Sequence, residues 1–303
     1  MQRLLVVVNG TAGTTDDDSV ETAVAALRAG ADVTVAPTAD REELLATVSG
    51  RDGRRLVIVG GDGSVHAAVR ALDGAGALDP AEPVGIIPRG TGNDLARTLG
   101  LPLDPAEAAA VVLTGVPRPL DLVRDEVGGL VVNAVHAGVG ARAGAEAARF
   151  KDRLGTAAFP LGAAIAGVTS PGWPLRIEVD GRVVTHERAG WAADGSTDVL
   201  MLAVCTGPTI GGGTPLAPGA RLDDGLADVV VCTATGLVAR AAFATALRGG
   251  RHVDRDDVLV VRGRQATFSG EPVDLNADGE LEEAVASRTW RVQSRAWSVL
   301  VPR

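Results

Sequence analysis

The 303-residue sequence predicts two domains: an α/β domain with a parallel sheet, followed by a mainly β-sandwich domain. Three observations predict this. The length suits two domains or one large one. The first 120 or so residues alternate short apolar runs with helical spacing. After about Asp121 strand-like runs follow one another with few helices between them.

The elements can be taken in order. Strands are expected over 4–8, 32–36, 56–59 and 84–87, and helices over 20–29, 41–48, 65–72 and 95–99. The strand runs are continuous and β-branched rather than alternating, which indicates a parallel sheet covered on both faces. Beyond Asp121, strands are expected over 130–135, 175–179, 199–204, 228–232, 258–261 and 266–268. Gly, Pro, Asp and Asn punctuate them, as in an antiparallel sandwich. A helical insertion over 145–169 interrupts the series. The run 290–303 alternates and is expected to return to the first domain, giving domains of 1–121 with 290–303, and 122–289.

Composition removes several function classes. The chain has 46% hydrophobic and 22% charged residues, enough to bury a sizeable core. Of its 29 basic residues, Lys151 is the single lysine. A Gly-x-x-x-x-Gly-Lys phosphate loop and a protein-kinase strand lysine are therefore absent. Any phosphate must be held by backbone amides, arginines or a metal. A net charge of −9 argues against a nucleic-acid partner. Cys205 and Cys232 sit in apolar runs and read as buried thiols. The apolar stretch near the N-terminus is shorter than the roughly 7–15 residues of a secretory h-region. No apolar run approaches the ~20 residues of a membrane span. These features lead us to expect a cytoplasmic protein with at most peripheral membrane contact.

Chemistry concentrates where strands end. Asn9-Gly10-Thr11-Ala12-Gly13, Gly60-Gly61-Asp62-Gly63-Ser64 and Arg89-Gly90-Thr91-Gly92-Asn93-Asp94 each follow an apolar strand. In open α/β sheets ligands bind at the carboxyl ends of strands. Ser64 and Asn93 read as N-caps, and a helix N-terminus is an anion site that needs no lysine. Arg89 and Arg97 are the nearest cations in sequence. His66 lies on the helix after the second loop. His136, His186 and His252 have no ligand spacing. Asp278-Gly279-Glu280 reads either as a plain turn or as a carboxylate site, and Asp223-Asp224-Gly225 as a hairpin turn or a cation loop.

Gly60-Gly61-Asp62-Gly63-Ser64 together with Pro88-Arg89-Gly90-Thr91-Gly92-Asn93-Asp94 resembles the diacylglycerol kinase catalytic-domain family, in its soluble bacterial lipid kinase branch. Related sphingosine kinases and NAD kinases share parts of the pattern. The resemblance continues through Asn133 to Gly140, Lys151 to Gly155, Gly211 to Gly213, Ala217 to Ala220, Asp223 to Leu226 and Asp278 to Glu280. It implies a Rossmann-like first domain, a sandwich second domain and an ATP-dependent lipid kinase. ATP would lie against Asn9, Gly10, Thr11, Ala12, Gly13, Thr38, Gly60, Gly61, Asp62, Gly63, Ser64, Val65, His66, Thr91, Gly92, Asn93 and Asp94. Asp62 would face the phosphates or their Mg²⁺, and Glu280 would be the general base. A structural Mg²⁺ would be held by the Asp224 carboxylate and the carbonyls of Arg221 and Leu226. From the residues themselves, the 145–169 insertion either buries one face in the sandwich or, with its apolar side flanked by Arg149, Lys151 and Arg153, meets a membrane surface that holds the lipid; the chain could form a homodimer.

The pattern has departures. Gly10 stands where the family has proline, and Ser64 stands for threonine. Phe159 takes the usual aromatic place, and Asp16, Asp17 and Asp18 put an acidic run beyond the first loop. Two rivals follow: an NAD kinase, and a nucleotide- or lipid-binding regulator without catalysis.

Overall fold

The computed structural model describes residues 1–9, 17–139, 172–185 and 192–303. Gly10 to Gly13, Asp16, Lys151, Phe159, His186 and the expected helical insertion over 145–169 lie outside the described residues. The chain forms two units, Met1–Asp121 with Arg295–Arg303, and Leu122–Ser294.

The first unit is built on a four-stranded sheet of order β2-β1-β3-β4. Its strands are β1 (Gln2–Asn9), β2 (Ala31–Thr38), β3 (Arg55–Gly60) and β4 (Gly85–Pro88). All pairs are parallel. Parallel pairing needs crossovers, and the helices α1 (Asp17–Arg28), α2 (Arg41–Ser49) and α3 (Asp62–Gly74) supply them. After β4 come the single turn α4 (Asp94–Thr98) and α5 (Pro105–Thr114). Helix α5 is not marked by the apolar spacing; its signal is the Asp104 cap before Pro105, whose carboxylate accepts from the N–H groups of Ala106 and Glu107. Leu4, Val6, Val57, Val59 and Ile87 pack with Leu27, Ala109 and Val112 as one core. The last residues of the chain extend this sheet: Val84 donates to Ser298 and accepts from Leu300, in parallel register with Val299. The unit takes only Arg295–Arg303 from the C-terminal run, not all of 290–303; Trp290 and Arg291 pair with Ala266 and Gln265 in the second unit's ladder.

The second unit is antiparallel. Its long sheet runs β13-β12-β11-β7-β14-β15-β5-β6, with β5 (Val116–Asp125), β6 (Leu130–Val131), β7 (Ala134–Gly138), β11 (Met201–Cys205), β12 (Ala227–Cys232), β13 (Val258–Gly263), β14 (Gln265–Ala277) and β15 (Glu280–Val301). Strands β8 (Trp173–Val179), β9 (Arg182–Val183) and β10 (Ser196–Val199) branch from β14. Leu175 and Ile177 of β8 share a core with Leu202, Val204, Val229 and Val231, which makes the two layers a sandwich. The layers join through β14. Its first half pairs β8 and its second half pairs β7, with register shifts between Ser269 and Leu275. At Gly270 (φ 152°) an added Cβ would lie 2.2 Å from the Pro174 carbonyl oxygen. The expected short strand over 266–268 is thus a thirteen-residue strand whose bulge reads in sequence as a break.

Strand β12 is buried along its whole length. Val229 and Val231 face the sandwich core. Val230 and Cys232 face a second core closed by helix α6 (Leu237–Leu247). Cys205 and Cys232 are free thiols; burial pushes both up, Cys232 to about 12. Among the described residues no helix is long and apolar enough to cross a membrane.

Candidate functional site

In the first unit, β1 and β2 end in register, Asn9 beside Thr38, and β3 ends next to them at Gly60. Above these ends lies a cavity of about 210 Å³. Its floor is apolar (Val7, Val8, Leu44, Ile58, Val59, Ala67). Its polar lining is Asn9, Thr38, Asp40, Arg41 and Ser64, with Gly63 between. An added Cβ at Gly63 would meet no protein atom. Four residues expected to bind nucleotide therefore line it: Asn9, Thr38, Gly63 and Ser64. Sequence reading missed Arg41, which brings a cation to the cavity where Arg89 and Arg97 do not. The available signal was the reciprocal cap of α2. Asp40 accepts from the Glu43 N–H at 2.9 Å, and Glu43 accepts from the Ala39 N–H at 2.8 Å.

The remaining motif residues build the loops rather than line the cavity. Gly61 and Gly90 touch backbone to backbone: a Cβ on Gly90 would lie 2.5 Å from the Gly61 Cα, and one on Gly61 2.8 Å from the Gly90 Cα. Arg89 donates its N–H to the Gly60 carbonyl at 2.9 Å. Asn93 sits in the left-handed region (φ 53°) and closes its own loop, accepting from the Gly90 N–H and donating to the Gly90 carbonyl. Asn93 therefore occupies the cap position without capping, and Ser64 lies inside α3, whose N-cap is Gly61.

The cap of α4 is Asp62. Its two carboxylate oxygens accept from the N–H groups of Asp94 and Leu95, at 3.0 and 3.1 Å. A carboxylate at a helix N-terminus satisfies two orphan donors at once. Asp62 is thus placed as a brace between the β3 and β4 loops, not among the cavity-lining residues. Val65, His66 and Asp94 are buried, Thr91 is exposed, and Gly60, Gly61, Gly92 and Asn93 belong to the brace.

In the second unit, β14 and β15 are joined by a two-residue turn, with Ala277 paired to Glu280. Asp278 (φ 48°) and Gly279 (φ 98°) both take positive φ, which a turn of the I′ kind requires. The Asp278 carboxylate accepts the backbone N–H groups of Val132, Asn133 and Ala134, and its own N–H donates to the Ala134 carbonyl. Asn133 in turn donates to the Thr209 carbonyl at 2.9 Å. Glu280, half-buried, leaves this anchored tip as the first residue of β15. Sequence reading named Glu280 but gave no role to the aspartate that fixes it.

The expected cation loop has a different charge partner. Asp224 accepts the Leu226 N–H at 3.1 Å and is paired with the Arg262 guanidinium, whose Nε also meets Asp228 at 3.2 Å. Burial pushes the Asp228 carboxyl up. In this structure the one carboxylate of the set Arg221, Asp224 and Leu226 is thus engaged by the Arg262 guanidinium. Among the described residues no cluster of three or more His, Cys, Asp or Glu side chains could hold a metal.

A parallel α/β unit followed by an antiparallel sandwich is the two-domain architecture of the patterns that the chain matches. The pattern described as "Diacylglycerol kinase catalytic domain" matches residues 3–124, and that described as "YegS C-terminal NAD kinase beta sandwich-like domain" matches residues 133–301. The chain belongs to the diacylglycerol kinase catalytic-domain family, in the branch that carries the YegS-type sandwich. It is 34% identical to a protein named "Probable lipid kinase YegS-like" from Pseudomonas aeruginosa (strain PAO1), covering 92% of this chain and 87% of that one. It is 30% identical to a protein of the same name from Xanthomonas campestris pv. campestris (strain 8004), covering 95% and 92%. A diacylglycerol kinase crystal structure from Bacillus anthracis str. Sterne superposes with a TM-score of 0.78 at 22% identity, covering 99% and 97%, which establishes likeness of fold.

Proposed function

We propose that the chain is an ATP-dependent lipid kinase that phosphorylates a hydroxyl of diacylglycerol or a related lipid. The observation that carries this is the cavity at the carboxyl ends of β1, β2 and β3, lined by Asn9, Thr38, Gly63 and Ser64. An apolar floor suits a nucleobase, while Arg41 and the first turn of α3 at Gly63, where an added Cβ would find open space, suit phosphate. Phosphoryl transfer asks mainly for positioning and charge neutralisation. Mg²⁺ supplies part of that neutralisation when it enters with the triphosphate. The brace of Asp62, Gly61, Gly90 and Asn93 keeps the two loops rigid around the nucleotide. Glu280 takes the proton of the lipid hydroxyl as the oxygen attacks the γ-phosphorus, the bond from that phosphorus to the bridging oxygen breaks and ADP leaves, and Asp278 holds Glu280 in place. A relative 28% identical over 74% of this chain is named "Diacylglycerol kinase", from Bacillus subtilis (strain 168). That name supports diacylglycerol as the first substrate to test.

Incubation with labelled ATP and a mixed lipid extract should give a labelled phospholipid, and Glu280→Gln should remove it while ATP still binds. Full activity in Glu280→Gln would overturn the assignment of the base. Label on NAD rather than lipid would favour an NAD kinase, the second reading that the NAD kinase-like sandwich keeps open.

A further inference from the structure

Helix α6 closes the second core of the sandwich with its inner face, where Phe243 is buried and Ala239 and Leu247 pack. Its outer face is unusual for a surface helix. Leu237, Val238, Ala241, Ala242, Ala244 and Thr245 are exposed and none is charged. A surface helix ordinarily puts charged or polar residues there. The two bulky side chains stand in the first turn, Leu237 at 69% and Val238 at 85% exposure. Charge points the same way. The stretch 236–251 holds Arg240, Arg248 and Arg251 and no carboxylate, in a chain of net charge −9; acidic residues resume at Asp254. Arg248 and Arg251 are exposed just beyond the apolar face. An apolar first turn followed by arginines complements an anionic bilayer, with aliphatic groups entering the acyl boundary and guanidinium groups meeting the headgroups.

We infer that α6 is the membrane-docking element, inserting Leu237 and Val238 into an anionic lipid surface. The choice of a bilayer rests on the lipid-kinase reading. The surface itself does not.

The test is flotation of the full chain, without nucleotide, on vesicles of phosphatidylcholine and phosphatidylglycerol in equal parts and on vesicles of phosphatidylcholine alone. Wild type should float with the mixed vesicles. Leu237→Glu with Val238→Glu should lower the bound fraction roughly tenfold or more, since two exposed aliphatic groups supply most of the insertion. Arg248→Gln with Arg251→Gln should weaken binding to the mixed vesicles alone. Both altered sites are exposed, and unchanged thermal melting will show that the fold is kept; Leu237→Ala with Val238→Ala serves if the glutamates perturb it. Wild type that binds neither vesicle, or an α6 variant that floats like wild type, would overturn the inference. So would a wild-type dimer in light scattering that the α6 variant converts to monomer, since the face would then join two copies. Flotation needs no catalysis, so failure of the kinase assay with successful flotation would sink the activity and leave the docking surface standing.

Discussion

The two units hold their candidate site residues by opposite means. In the first, the β3 and β4 loops meet through missing side chains. Gly61 and Gly90 approach so closely that neither tolerates a carbon. In the second, the tip bearing Glu280 is held by an added side chain, the Asp278 carboxylate gathering three backbone amides. A contact made of absent atoms fails by steric clash, whereas one made of hydrogen bonds fails by leaving donors unpaired. The same motif density in sequence therefore has two kinds of fragility.

The largest effect should come from the glycine contact. Gly90→Ala forces a Cβ against the Gly61 backbone and the Asn93 Oδ1, and should cost about 3 kcal/mol, the upper range for overpacking. Denaturant melting of the variant checks this, and a loss under half that would show that the loops can separate. Next, Asp278→Ala strands three N–H groups and should cost about 2 kcal/mol. It should also lower lipid turnover about a hundredfold through the displaced Glu280, with ATP affinity preserved. Loss of ATP affinity too would mean the tip serves the nucleotide.

Acid should distinguish the units a third way. Burial holds His136 down at about 4, and His252 is lowered for the same reason. Both lie in the second unit. Above the ordinary histidine value of 6.5 neither state of the chain binds the proton and their contribution is complete. As pH falls below it, only the unfolded state takes the proton. Stability therefore drains away until the folded value is passed, by about 1 kcal/mol for His136 at pH 5.5, with His252 adding in the same direction. Melting followed from pH 7 to 5 should show this slope, and His136→Gln should flatten part of it. An unaltered slope would place the acid sensitivity elsewhere.

The smallest effect belongs to Asp62→Asn. The amide keeps one acceptor for the α4 amides, so stability should fall by about 1 kcal/mol and ATP affinity should change little. A variant that keeps its stability but no longer binds Mg·ATP would make Asp62 a ligand after all.

Particular residues show how far the sequence could be read. Parallel strands in the first unit were legible because runs such as Val57-Ile58-Val59 are apolar without alternation. Helix α5 was not, because its alanine-rich face carries little periodicity and its evidence is the cap at Asp104. Among the cavity-lining residues, Asn9, Gly63 and Ser64 lie in loops marked by strand-end chemistry, whereas Thr38 was pointed to only by the family resemblance. Arg41 was not legible, since it stands one residue inside a helix whose position beside the cavity depends on β2 pairing with β1. Asp62 was legible as important, but its part in bracing α4 was not. Its partners are thirty-two and thirty-three residues further along the chain, and no local pattern reports them.

By itself, then, the sequence determined the alternation of elements, the glycine-rich strand ends, the family and the near-absence of lysine. Those properties are written in composition and short-range spacing. Only the tertiary structure decided which polar groups are consumed by the fold and which line a cavity. Asp62 is used by backbone amides and Asp224 by an arginine, each brought from elsewhere in the chain, while Arg41 is carried to the cavity. The physical reason is that a hydrogen-bonding group is assigned by its nearest partner in space, and chain order fixes that partner only within a turn or two.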